Sequence, residues 1–214
     1  MTVESDVVGE LNGRAARGDQ TALAELFRHH HQRLEHMVRL RMDRRLQGRI
    51  DPSDVLQEAY LDCSRRLGEY ATNPCMSFFL WLRFLTGQRL IDLHRQHLGA
   101  KKRDAGIELS LHQGLFPRPL ASSASLAGHL LGRLTSASRA AIRAETQVRV
   151  QEALNLMDAM DREVLTLRHF EMLTNEETAA VLGLKKTAAS NRYIRALKRL
   201  KEIVASTPGL NSGT

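Results

Sequence analysis

Residues 174–201, TNEETAAVLGLKKTAASNRYIRALKRLK, constrain the fold more than any other stretch of the chain. Thr174 with Glu177 three residues later is the reciprocal pair that satisfies two orphan backbone donors at a helix start. Ala179, Val181 and Leu182 supply packing groups, Gly183 falls where a helix end wants a left-handed residue, and Leu184 folds back against the helix it leaves. Beyond it, Ala189, Tyr193, Leu197, Leu200 and Val204 recur as one apolar stripe at helical spacing. The pattern predicts helix, short turn, helix. The rest of the second helix carries Lys185, Lys186, Arg192, Arg195, Lys198, Arg199 and Lys201 with no Asp or Glu between them. A solvated helix ordinarily mixes signs, so this excess points to a polyanion whose phosphates release counterions when neutralised. In a major groove, Lys186, Thr187, Ser190, Asn191 and Arg192 would meet base edges and phosphates. An amphipathic helix kept soluble by its cations is the plainer alternative, but it leaves the capped helix and the glycine turn without a reason. Lys185 stands where a Ser, Thr or Asp N-cap is usual, which lets the helix begin a residue or two later.

The chain has 214 residues and a formal net charge of +7, enough length for one large or two small domains. That charge suits nucleic acid or an acidic protein surface, and no apolar run reaches membrane-spanning length. The N-terminal segment is polar and acidic, unlike a signal peptide, so a cytoplasmic location is expected and membrane insertion is not. Cys63 and Cys75 match no standard zinc spacing and are expected to be small buried or half-buried residues rather than a disulfide. His29, His30 and His31, with His36 beyond, point in different directions around a helix and lack a completing ligand, so a solvated or partner-facing surface is expected and no metal. No phosphate-cradling glycine loop, HExxH or Gly-x-Ser-x-Gly pattern occurs. No enzyme activity and no cofactor are expected.

The first half reads as helices. Leu23, Leu26, Phe27, Leu34, Val38 and Met42 keep helical spacing between Asp19 and Met42. Asp51-Pro52-Ser53-Asp54 then gives a cap, a proline suited to the first helical position and an acid at the positive end of the dipole, for a helix running to about Leu67. Residues 68–77, GEYATNPCMS, read as a loop, and Phe78 to Arg95 as a strongly apolar helix. From Asp104 to Ser138 the composition shifts to Ser, Gly, Pro and Ala, the mark of a linker, with a short helix allowed over Leu126 to Leu134. Helical patterning returns from Ala140, and no strand pattern is visible.

Two segments of the first half make the reading specific. Asp51-Pro-Ser-Asp54-Val-Leu-Gln57-Glu58-Ala-Tyr60 resembles the D-x-x-D-x-x-Q-E-aromatic signature of sigma-factor region 2.2. Phe78-Phe-Leu-Trp81-Leu82, continuing through Leu90-Ile91-Asp92-Leu93-His94-Arg95, is similar to regions 2.3 and 2.4, and Asp161 through Lys201 resembles region 4. The order, with a short linker between, resembles the extracytoplasmic-function (ECF) sigma factors of bacterial RNA polymerase, in the sigma-70 superfamily. The resemblance implies an all-α protein of two small domains: a region 2 helical bundle over 10–103, a linker over 104–138 and a region 4 helix-turn-helix over 139–206.

It also implies partners. Asp51, Asp54, Gln57 and Glu58 would meet the basic coiled coil of the core polymerase clamp, with the flap as a second contact. Complementary charge there steers docking more than it adds affinity. The loop from Tyr70 through Asn73 to Ser77, with Trp81, Arg83, Phe84, Arg89 and Arg95, would capture the melted minus-ten strand of promoter DNA, since stacking beside a cationic groove is what single strands require. Trp81 is equally readable as core. Lys185, Lys186, Thr187, Ser190, Asn191, Arg192, Arg195 and Lys198 would dock on the minus-thirty-five duplex, and an anti-sigma factor would cover the polymerase-binding surfaces. The chain departs from the family at Thr86-Gly87-Gln88, where Ala-Arg-Asn is common, and at Lys185-Lys186-Thr187-Ala188-Ala189, where Ser-x-Gly-Thr-Val is usual, so sequence preference does not carry over. The rival reading is a stand-alone helix-turn-helix transcriptional regulator, which leaves the Asp51 to Tyr60 signature without a role; a nucleic-acid enzyme would need a nucleophile or metal cluster.

Overall fold

The computed structural model describes residues 3–98, 121–134 and 140–206. Those residues are helical throughout, apart from turns and one isolated bridge between Gln47 and Ile50. They divide into two compact units.

The first unit holds α1 (Val3–Ala15), α2 (Gln20–Arg41), α3 (Pro52–Thr72) and α4 (Phe78–Leu98). Asp19 caps α2, accepting from Thr21 N at 2.8 Å and Ala22 N at 3.2 Å, and is held by Arg14 at 2.8 Å. The periodic positions named above then turn inward: Leu23, Leu26 and Leu34 are fully buried, with Met37 and Leu40. Asp51 caps α3 by accepting from Ser53 N at 2.8 Å, with Pro52 at the first helical position. α3 runs to Thr72 rather than Leu67. Gly68 sits within it, where Thr72 Oγ1 donates to Gly68 O at 2.9 Å, and the buried Tyr70 fastens the last turn. The loop is therefore only 73–77. α2, α3 and α4 pack on one another and α1 on α2. The first half of α4, Phe78 to Leu85, is apolar on almost every side and accordingly buried on almost every side, whereas Asp92, Arg95, Gln96 and His97 of its last turns are exposed.

The second unit holds α5 (Ser123–Leu134), α6 (Ala140–Asn155), α7 (Ala159–Leu165), a π-helical turn (Thr166–Phe170), α8 (Asn175–Leu182) and α9 (Lys186–Ser206). α5 occupies part of the stretch expected as linker and begins before Leu126. Ser122 caps it, accepting from Ser125 N at 3.1 Å, and Leu126 and Ala127 are buried. The remaining linker positions, 104–120 and 135–138, lie outside the described residues, as does the basic run Lys101 to Arg103. α5 packs on α6, and α9 packs across α6, α7 and α8. Arg162 donates to the carbonyls of Leu154 at 2.9 Å and Met157 at 2.7 Å, satisfying acceptors orphaned where α6 ends. At α8 the capping box forms in full, with Glu177 N to Thr174 Oγ1 at 3.1 Å and Thr174 N to Glu177 Oε2 at 2.8 Å. Gly183 is left-handed (φ 66°, ψ 30°), and Leu184 N donates back to Ala179 O at 2.9 Å.

Candidate docking face and nucleic-acid interface

The α3 surface is built from its cap outward. Asp51, Asp54 and Gln57 are exposed and Glu58 is half-exposed. Asp51 also accepts from Ser53 Oγ at 2.6 Å, and the Ser53 hydroxyl and amide hold its carboxyl below the usual carboxylate range, with a smaller pull from Arg39. Leu61, 46% exposed, continues the same face one turn on, a position that its spacing of seven from Asp54 made visible in the sequence. Glu58 differs from its neighbours: its carboxylate forms an ion pair with Arg89 of α4. Two residues expected on separate surfaces thus meet.

The residues expected to hold a single strand divide sharply. Tyr70, Trp81 and Arg83 are buried, at 7, 7 and 3% exposure, so in this conformation their side chains do not reach a strand. Tyr70 O–H donates to Met76 O at 2.9 Å, and its ring packs on Trp81 at 4.8 Å and edge-on to Phe78 at 5.3 Å. These rings form a floor that fixes the loop. They are core because the first half of α4, Phe78 to Leu85, has no polar face and is packed against on nearly every side. Asn73, Cys75 and Arg95 are exposed, Cys75 contrary to the expectation of a buried or half-buried residue, and Arg89 is half-buried against Glu58. Arg95 makes only a loose 3.7 Å contact with Asp92.

The histidine run also splits. His30 is buried against Phe79 at 4.8 Å, and burial above all, then His29 and Arg33, pulls its pKa down to about 4, whereas His29 and His31 are exposed. Among the described residues no three of His, Cys, Asp or Glu gather as metal ligands.

In α9 the inward line is Ala189, Ala196 and Ile203; Tyr193, Leu197 and Leu200 flank it half-buried, and the side chain of Val204 lies outside the described residues. The stripe read from sequence is therefore turned slightly, because small alanines let α9 approach closely where leucines would not fit. Lys185, Lys186, Thr187, Asn191, Arg195 and Lys198 are exposed and Ser190 is half-buried. The helix begins at Lys186, whose carbonyl accepts from Asn175 Nδ2 at 3.0 Å, so α8 sets where α9 starts. Lys186 Nζ lies 3.2 Å from Glu176. Arg192 turns inward to Asp161 at 2.8 Å and Asp158 at 3.2 Å, bracing α9 on the start of α7. Ala188, Asn191, Arg192 and Arg195 line an open concavity of about 470 Å³ with Leu184. Ile194, 60% exposed, is an apolar residue on this basic face that the stripe reading missed.

Comparison with known proteins adds three observations. Residues 147–200 match the family model described as sigma-70, region 4. Over 207 residues the chain is 27% identical to the ECF RNA polymerase sigma factor SigD of Mycobacterium tuberculosis, covering 96% of this chain and 88% of SigD. It is 27% identical over 198 residues to the RNA polymerase sigma-H factor of Pseudomonas aeruginosa, covering 92% of each, and 41% identical over 69 residues to a sigma-E factor of Streptomyces antibioticus, 29% of this chain and 38% of that one. Among solved structures, CnrH in complex with the cytosolic domain of CnrY aligns with TM-score 0.51 and 22% identity over 92% of this chain and 96% of that one, a likeness of fold.

Proposed function

We propose, from the premise that the chain belongs to the ECF sigma factors of RNA polymerase, a division of labour between its two units. It is a transcription initiation factor. The first unit docks on core polymerase through the α3 face, with Asp54 and Gln57 as its exposed polar contacts. The exposed loop 73–77 and Arg95 then take the minus-ten strand. The second unit lays α9 in the minus-thirty-five major groove, with Lys185, Lys186, Thr187, Asn191, Arg195 and Lys198 facing DNA and Arg192 holding the helix in place. The chain acts by binding and brings no chemistry of its own. Its place is the cytoplasm, where its polymerase and template are, and an anti-sigma protein fits the same acidic face. One observation carries this reading: a complete helix-turn-helix shares the chain with a capped helix that keeps Asp54 and Gln57 in solvent.

The test is reconstitution with sigma-free core polymerase and transcription from a genomic fragment library. Wild type should give core-dependent start sites, and Asp54→Ala/Gln57→Ala should weaken core binding about tenfold, as loss of a central interface contact does. Site-specific DNA binding by the free protein without any core binding would replace this reading with a stand-alone regulator.

A further inference from the structure

The segment joining α2 to α3 belongs to neither surface described above. It is firmly built. Leu46, 1% exposed, anchors it; Leu46 N donates to Asp43 O at 2.9 Å, Arg49 N to Leu46 O at 2.9 Å and Ile50 N to Leu46 O at 3.1 Å. Asp43 N donates to His94 Nε2 at 3.2 Å, which fastens the segment to the last turns of α4 beside Arg95. Its exposed side chains are Arg44, Arg45, Gln47 and Arg49. Arg45 is spent on Asp43 at 2.7 Å, and Arg39, at the end of α2, on Glu35 at 2.6 Å. Arg44 and Arg49 are exposed and have no carboxylate within ion-pair reach among the described residues.

The geometry points to residues 44–49 as a phosphate-binding surface of the first unit, adjoining Arg95, that grips the backbone of promoter DNA. Three observations choose this partner. Guanidinium forks match phosphate oxygens, and a segment pinned at Leu46 and His94 presents them at fixed spacing. No large exposed apolar side chain lies in it, as a membrane contact would need. Burial of Arg83 and pairing of Arg89 also leave α4 short of cations for a strand, and the neighbouring segment supplies them. This rests on the sigma-factor reading.

The experiment uses Arg44→Ala/Arg49→Ala in holoenzyme reconstituted with core polymerase, measuring promoter affinity against salt, with thermal unfolding and core assembly as controls. Two lost phosphate contacts should reduce the slope of log K against log salt by about 1.4–1.8, with assembly unchanged. Arg17→Ala/Arg28→Ala removes the same charge from exposed positions elsewhere and should leave the slope alone. An unchanged slope in the first variant, an equal loss in the control pair, or loss of core assembly in Arg44→Ala/Arg49→Ala would overturn the proposal. Failure of the wild type to assemble with core would instead overturn the sigma-factor reading and the proposal with it.

Discussion

Two glycines with the same letter in the sequence do opposite work. Gly183 holds φ 66° at the end of α8, a conformation that costs a side chain about 1 kcal/mol or more. Gly68 lies inside α3, where an added Cβ would meet nothing within 4 Å. Gly183→Ala should therefore destabilise by about 1 kcal/mol, while Gly68→Ala should stabilise by up to about 1 kcal/mol through helix propensity. Urea unfolding midpoints check both, and shifts of the same sign would refute the contrast. Gly183 was legible because a capped helix leads up to it; Gly68 read as a break because a glycine near an Asn-Pro pair signals a loop whether or not the helix continues through it. His30 adds a pH dependence. Its pKa in the fold, about 4, lies below the ordinary 6.5, so the neutral ring's stability is fully present above about pH 6.5 and is lost as pH falls toward 4. The gap corresponds to at most about 3 kcal/mol. His30→Leu should flatten the fall in unfolding midpoint between pH 6.5 and 4 relative to wild type; parallel curves would show that His30 does not titrate with unfolding.

At the scale of elements, α4 and α9 mark the reach of sequence patterning. An amphipathic helix declares its buried face, and the positions that helical spacing names along α2, Leu23, Leu26, Phe27, Leu34, Val38 and Met42, are all buried. The first half of α4 has no polar face to orient it, so whether Trp81 and Arg83 face solvent depended on neighbours invisible in the sequence. In α9 the excess of cations was plain, yet their allocation was not: Arg192 is drawn to Asp158 and Asp161, more than thirty positions away in the chain. That allocation predicts a split. Lys198→Ala should lower the salt slope of minus-thirty-five binding by about 1 and leave stability unchanged. Arg192→Ala should cost about 1 kcal/mol of stability in the second unit by leaving Asp161 without its cation. Chemical unfolding alongside duplex-binding titrations distinguishes the two, and equal stabilities would remove the bracing role.

For the whole molecule, the two-unit plan was legible from the shift to Ser, Gly and Pro between two helical halves, although α5 shows that a Ser-rich stretch also supplies a helix cap. What no pattern in the sequence announced is that the α3 and α4 surfaces share a charge. Glu58 and Arg89 are thirty-one positions apart, and nothing in their separate motifs pairs them. A carboxylate has one charge to lend. A cationic partner that claims Glu58 hands the positive charge of Arg89 to whatever lies over α4, and a phosphate that claims Arg89 returns Glu58 to the partner on α3. Binding at either surface is thereby credited to the other, and thermodynamic reciprocity requires the favour to be equal in both directions.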